Sequence, residues 1–275
     1  MDRQIVYPGA IPLETDLLNT NKFAMIGLAK LASAVLGSDT CLAGLKCTPT
    51  LPASLNVVIS AGEIYCLQHI DQTAYSTLTS DHSDTILKQG LTKDLILELR
   101  APAQAGMSIS YLIQVGYEDV DVGDSVLPYY NAADPSMTFS GPANNGKAQP
   151  DVRAGKCVVS LKASSAASAG MQMTPLPDIG FVSAWVIDVS SDMKMIESCD
   201  IHVAPGAPFI PSCGIYAAIQ QAKPTFANDS GSANAYQAFY QPPLPPLVDG
   251  MRLAFKAREV NSGKSTFSVR PGEVH

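Results

Sequence analysis

Between Asp16 and Leu36 the apolar residues recur at helical spacing: Leu18, Met25, Leu28, Ala29, Ala32, Val35 and Leu36 share one side of a 3.6-residue period. The pattern predicts a helix with Thr15 or Thr20 as N-cap and Gly37 as its stop. Lys22 and Lys30 are the only charges between Asn21 and Gly37, so most of its surface is apolar or small. Such a helix is expected to pack on its own β domain and on a neighbouring chain. Residues 1–14 follow neither period. Pro8, Gly9 and Pro12 interrupt the apolar residues Ile5, Val6, Tyr7, Ile11 and Leu13, which predicts an extended arm able to dock on a partner; a loose chain end is the plainer alternative.

Past residue 40 the period shortens. Leu55-Asn-Val-Val-Ile-Ser, Glu63-Ile-Tyr-Cys-Leu, Leu95-Ile-Leu-Glu-Leu, Ser108 through Tyr117, Lys156-Cys-Val-Val-Ser-Leu-Lys and Phe181 through Val189 are short, β-branched or aromatic runs bounded by turn residues. They predict a sandwich or barrel-like domain over 40–203. Within it, the turn-rich stretch from Asp119 to Pro135, continuing through Gly141-Pro-Ala-Asn-Asn-Gly, is too long for a hairpin and reads as a surface excursion. Residues 204–225, rich in Pro and Gly with a short helical run from Ile215, read as a linker. Residues 226–275 alternate again as short strands around the Pro-rich Gln241-Pro-Pro-Leu-Pro-Pro-Leu. The expected fold is therefore mainly β: an N-terminal arm and α-helix (1–39), the central β domain, the linker and a small C-terminal β module.

Composition narrows the function classes. A formal charge of −7, with Lys and Arg scattered, argues against nucleic-acid binding, because no basic face is available to neutralise phosphates. No stretch is apolar enough to span a bilayer, and the start of the chain lacks a basic-then-apolar leader, so synthesis and retention in a cytoplasm are expected. In that reducing setting Cys41, Cys47, Cys66, Cys157, Cys199 and Cys213 are expected as free thiols.

The candidate chemistry is weak. Gly263-Lys264-Ser265-Thr266 imitates the end of a phosphate loop, but Arg258 occupies the position of the required first glycine and Thr266-Phe-Ser-Val reads as strand rather than helix. Cys66 and His69, with His82, lack a fourth zinc ligand. Asp119, Asp121 and Asp124 cluster around Gly123 without the ligand spacing of a calcium loop, and read as an acidic turn. No nucleophile elbow is present, whereas paired carboxylates for glycan hydrolysis leave no spacing signature. Tyr236, Phe239, Tyr240 and Phe255 fit either a packed strand face or a carbohydrate platform, with packing favoured. No catalytic residue, metal or cofactor is assigned.

Both ends and the centre of the chain carry a resemblance. Met1-Asp-Arg-Gln-Ile-Val-Tyr-Pro-Gly through Asn21 looks like the N-terminus of tail fibre or tail structural proteins of podovirus-like and related bacteriophages. Tyr117-Glu-Asp-Val-Asp, Leu127-Pro-Tyr-Tyr-Asn131 and Gly141 through Gly146 are similar to the middle β domain of that family. Asn234-Ala-Tyr, Asp249-Gly-Met and Asn261-Ser-Gly resemble the turns of its fibre module. The resemblance implies a virion tail protein, assembled in the host cytoplasm, whose arm (Ile5, Val6, Tyr7, Pro8, Ile11, Leu13) anchors to a tail adaptor, nozzle or tube protein. It also implies a homotrimer, with Leu28, Val35, Tyr236, Phe239, Tyr240 and Phe255 packing between copies. Because the sequence stops at His275, soon after the module, a short fibre or a connecting piece that carries a distal fibre protein is expected. The alternatives are a glycan-active tailspike enzyme, against which the absence of a β-helix repeat counts, and a non-catalytic carbohydrate-binding module.

Overall fold

Helix α1 spans Glu14–Leu36, and its first turn is closed from inside. The Asp16 carboxylate accepts the Leu13 N–H at 2.9 Å while the Asp16 N–H bonds the Leu13 carbonyl at 3.0 Å, so Leu13 is the N-cap although its own side chain contributes nothing. The threonines expected as caps lie within the helix, where Thr20 Oγ1 bonds the Asp16 carbonyl at 2.8 Å. Gly37 ends the helix as expected, at φ 84° with its N–H on the Ser33 carbonyl. The inward face sets Ala29 and Ile26 against Ile70 and Ile86; Lys22 pairs with Asp81, and Lys30 with Asp84 at 2.6 Å. This computed structural model describes residues 2–126, 128–137 and 147–269; Leu127 and the Gly141–Gly146 stretch lie outside the described residues.

The central domain is built from β1 (Cys41–Gly44), β2 (Cys47–Pro49), β3 (Asn56–Ile59), β4 (Gly62–His69), β5 (Thr85–Thr92), β6 (Leu95–Glu98), β7 (Met107–Val122), β8 (Val152–Ala163), β9 (Ala167–Ser168), β10 (Phe181–Ser190) and β11 (Ile201–Val203). The fold is mainly β, as the alternation predicts. The large sheet runs β1-β4-β5-β8-β7-β10-β11, with β9 beside β7, and the smaller one runs β2-β3-β6. Leu42, Val57, Ile59, Ile64, Ile113 and Ile187 from both sheets fill one core together with Leu99, which follows β6.

The large sheet curls until its ends meet. After β11 the chain bonds back to β10 through Ala204 N–H and Ala184 O, then passes β1, where Leu42 N–H bonds Pro208 O and Ile210 N–H bonds Leu42 O, both at 2.9 Å. The Phe209 ring packs tilted against Trp185 at 5.3 Å, and Trp185 Nε1 donates to the Leu45 carbonyl at 2.8 Å. Residues 204–210, read from composition as the start of a linker, thus complete the central domain; their Pro and Gly fit a close crossing rather than a free tether. At the opposite side of the curl β5 and β8 share a single parallel pair, Leu91 and Lys156. There the backbones approach so closely that a Cβ on Gly155 would sit 2.5 Å from the Gln89 carbonyl, and one on Gly90 2.6 Å from that of Lys156.

The C-terminal module follows a short helix, α2 (Ile215–Gln220). Its strands are β12 (Phe226–Asn228), β13 (Ala235–Gln237), β14 (Ala254–Lys256) and β15 (Thr266–Ser268); β12 pairs with β14 and β13 with β15, both in parallel. Ala227, Ala238, Tyr240 and Val269 form its core with Phe255 and Phe267 packed against them. Asp229 ties the module together by accepting backbone N–H groups of Gly231, Gln237 and Arg258 at 2.8, 3.0 and 3.2 Å.

Candidate functional site

The apolar residues of the arm face solvent. Tyr7 is 72% and Ile11 85% exposed, and Ile5, Val6, Pro8 and Leu13 are exposed with them. The outward side of α1 continues this surface. Leu17, Asn21, Ala24, Leu28, Leu31 and Val35 are all exposed, and their spacing alternates four and three residues, the seam spacing of helices that pack on one another. Of the positions expected to meet neighbouring chains, Leu28 (66% exposed) and Val35 (53%) lie on this face.

Between α1 and the large sheet lies a cleft of about 580 Å³, within the range of ligand-holding cavities. Met25 and Ala32 form its apolar roof, and Leu28 and Val35, shared with the outward face, line its edge. Its floor is polar and densely charged. Lys88, 5% exposed in the middle of β5, reaches Asp119 on β7 at 2.6 Å, and Tyr117 donates to the other Asp119 oxygen at 2.6 Å. Burial, with Asp119 beside it, pushes the Tyr117 phenol far above its usual range, so it stays a donor. Arg153 grips Asp121 with two bonds of 2.7 and 2.8 Å, donates to the Thr73 and Ala74 carbonyls, and covers the Tyr75 ring at 5.4 Å. Asp119 and Asp121 therefore belong to β7 and act as strand-borne ion-pair partners. The acidic turn expected from their spacing is replaced by an extension of β7 to Val122.

Asp71 is the exception in this floor. It is 4% exposed and lines the cleft, and its Oδ2 is the buried side-chain oxygen without a hydrogen-bond partner among the described residues. Desolvation raises its pKa, partly offset by the charges of Lys22, Lys88 and Arg153. Every one of those cations is already committed to another carboxylate: Asp81, Asp119 and Asp121 respectively. Comparison with protein-family models, curated proteins and solved structures finds no match.

Sequence reasoning passed over Asp71, Lys88 and Arg153. A lysine inside an apolar run is the one signal available, and its partner lies 31 residues away on another strand. The other singled-out residues divide clearly. Ser262 and Gly263 donate their N–H groups to Asn234 Oδ1 at 2.9 and 3.2 Å, and Thr266–Ser268 is strand, so the Gly-Lys-Ser sequence is a pinned turn. The His69 and His82 rings meet edge to face at 5.0 Å, and Cys66 Sγ accepts from Gln68 at 3.4 Å; the described residues contain no cluster of three metal-ligating side chains.

Tyr236 and Tyr240 turn into their own module. The Tyr240 hydroxyl bonds the Ala254 carbonyl, and Phe255 stacks on Phe267 at 4.4 Å, leaving Phe239, 38% exposed, as the outward ring of that set. The six cysteines are free. Burial pushes the thiols of Cys47 and Cys157 up to about 12, which leaves them as apolar filling rather than nucleophiles. No helix among the described residues is long and apolar enough to cross a membrane.

Proposed function

We propose that this chain is a structural protein of a bacteriophage tail, a fibre or fibre-anchoring protein that joins the tail through its N-terminal arm and begins a trimeric fibre. The observation that supports it is the number of exposed apolar residues on the arm and on the outward seam of α1. A lone soluble chain rarely leaves so many Leu, Ile, Val and Tyr residues in water, whereas an assembly surface requires them. Asn21 within the seam fits a role in fixing register between helices.

In this reading the partners are other copies of the chain, a tail adaptor, nozzle or tube protein at the arm, and a distal fibre protein beyond the C-terminal module. The site of action is the virion tail, and the chain carries no enzymatic chemistry, no cofactor and no nucleic-acid contact. A carbohydrate platform at Tyr240 receives no support, because that ring packs inward. Deletion of residues 1–14 tests the anchoring role. The truncated chain is expected to remain a folded oligomer and to be absent from purified particles; particles that incorporate it at the normal level would remove that role.

A further inference from the structure

We propose that the cleft between α1 and the large sheet receives the N-terminal arm of a second copy, whose Arg3 meets Asp71. The inference rests on the reading that copies of this chain associate, and it specifies how.

Charge points to a basic occupant. Lys22 from α1 and Lys88, Arg153, Asp71 and Asp119 from the sheet side line the cleft. Each cation is paired, Lys88 with Asp119 and Arg153 with Asp121, both carboxylates on β7, and Lys22 with Asp81, outside the lining. Asp71 is left over, nearly fully buried, with an oxygen that lacks a donor. A buried carboxylate in this state is costly, and a donor arriving from a second copy would offset that cost while the group stays charged. Arg3 is exposed and forms no ion pair among the described residues, and its planar fork suits a carboxylate.

Shape and polarity point to the residues that follow Arg3. In an extended segment Arg3, Ile5 and Tyr7 project to the same side over about 13 Å. The roof and its edge, from Met25 to Val35, cover about 15 Å of helix, so a charge at one end and two apolar side chains match a floor carboxylate and an aliphatic roof.

The chain's own arm is held elsewhere. Gln4 Nε2 donates to Asp16 Oδ1 at 2.8 Å, and a turn at Gly9 closes with the Ala10 N–H on the Tyr7 carbonyl at 3.1 Å. The arm therefore folds beside the first turn of α1, whereas the helical lining of the cleft begins at Asn21 and includes no arm residue. Arm and cleft both stay unfilled within one chain and are filled together when arms are exchanged between copies. With Ile5 and Tyr7 seated in this way, contact with the tail falls to the rest of the arm, Ile11 and Leu13 among it.

A zero-length cross-link tests the exchange. Two full-length chains with different tags are co-expressed: R3K/D71N, which has an amine on its arm but no cleft carboxylate, and R3A, which has the carboxylate but no such amine. After treatment with a water-soluble carbodiimide, an amide joining position 3 of the first chain to Asp71 of the second is expected by mass spectrometry. Absence of this link in a sample that light scattering shows to be trimeric overturns the inference and leaves the trimer standing. A monomeric sample overturns the trimer reading itself.

Amide exchange gives a second readout that does not depend on the coupling chemistry. In the assembled unmodified chain the amides of residues 3–7 are expected to exchange at least about tenfold more slowly than in D71N, a factor equivalent to about 1.4 kcal/mol. Equal rates overturn the inference.

Discussion

Asp71 and Asp229 are both largely buried, and the chain treats them in opposite ways. Asp229 accepts three backbone N–H groups, that of Gln237 foremost, which hold its carboxyl below the usual range. Its folded pKa is depressed, so its contribution is present above the ordinary carboxylate value and is lost as pH falls through the folded value. For Asp71 the sign reverses: desolvation raises its pKa, so the folded state binds the proton more readily than the unfolded chain. Stability linked to Asp71 therefore falls as pH rises from the ordinary carboxylate range through the raised value. The groups that act on it are Lys22, Lys88 and Arg153, which favour its charge, and Asp81, which opposes it. In an R3A background, where no arm cation reaches the cleft, Asp71→Asn is expected to raise the unfolding temperature at pH 7. The gain should shrink to nothing below the ordinary carboxylate range. A pH-independent difference in thermal denaturation would show that burial of the charge is not what the substitution relieves.

At the scale of elements, the curl of the large sheet depends on two glycines. With 2.5 Å between a Cβ on Gly155 and the Gln89 carbonyl, Gly155→Ala forces β5 and β8 apart at their single paired position. A loss of about 1–3 kcal/mol is expected from overpacking of this kind, measurable by denaturant titration, and a neutral result would mean that the crossing relaxes freely. The same glycines limit what the sequence discloses. β3, β4, β6, β7, β8 and β10 announce themselves by β-branched and aromatic alternation, whereas β5 carries Lys88 and Gly90 and reads as broken. In the fold Lys88 is neutralised by Asp119 and Gly90 makes room for β8, so both irregularities are long-range compensations that no local window contains. α1 was legible because its 3.6-residue period and Gly37 stop are local; its N-cap was missed because Asp16 acts through the backbone of Leu13. The charged cleft stayed hidden for the same reason as β5, since its pairs join residues 31 to 59 positions apart.

For the whole molecule, the account depends on surfaces that a single chain leaves open. The central domain has a core shared by two sheets and a crossing segment at 204–210 that closes the curl. The C-terminal module buries Tyr236 and Tyr240 within itself and leaves Phe239 as the outward ring of that set, so in the proposed trimer its aromatic rings offer less contact than the aromatic content predicts. The arm, the seam of α1 and the charged cleft all lie on or beside the N-terminal helix, and assembly is proposed to proceed through them. Light scattering coupled to size exclusion, on the full chain at micromolar concentration, measures this most directly: the account predicts a mass three times the 29.0 kDa of one chain, and a stable species of 29.0 kDa would contradict it.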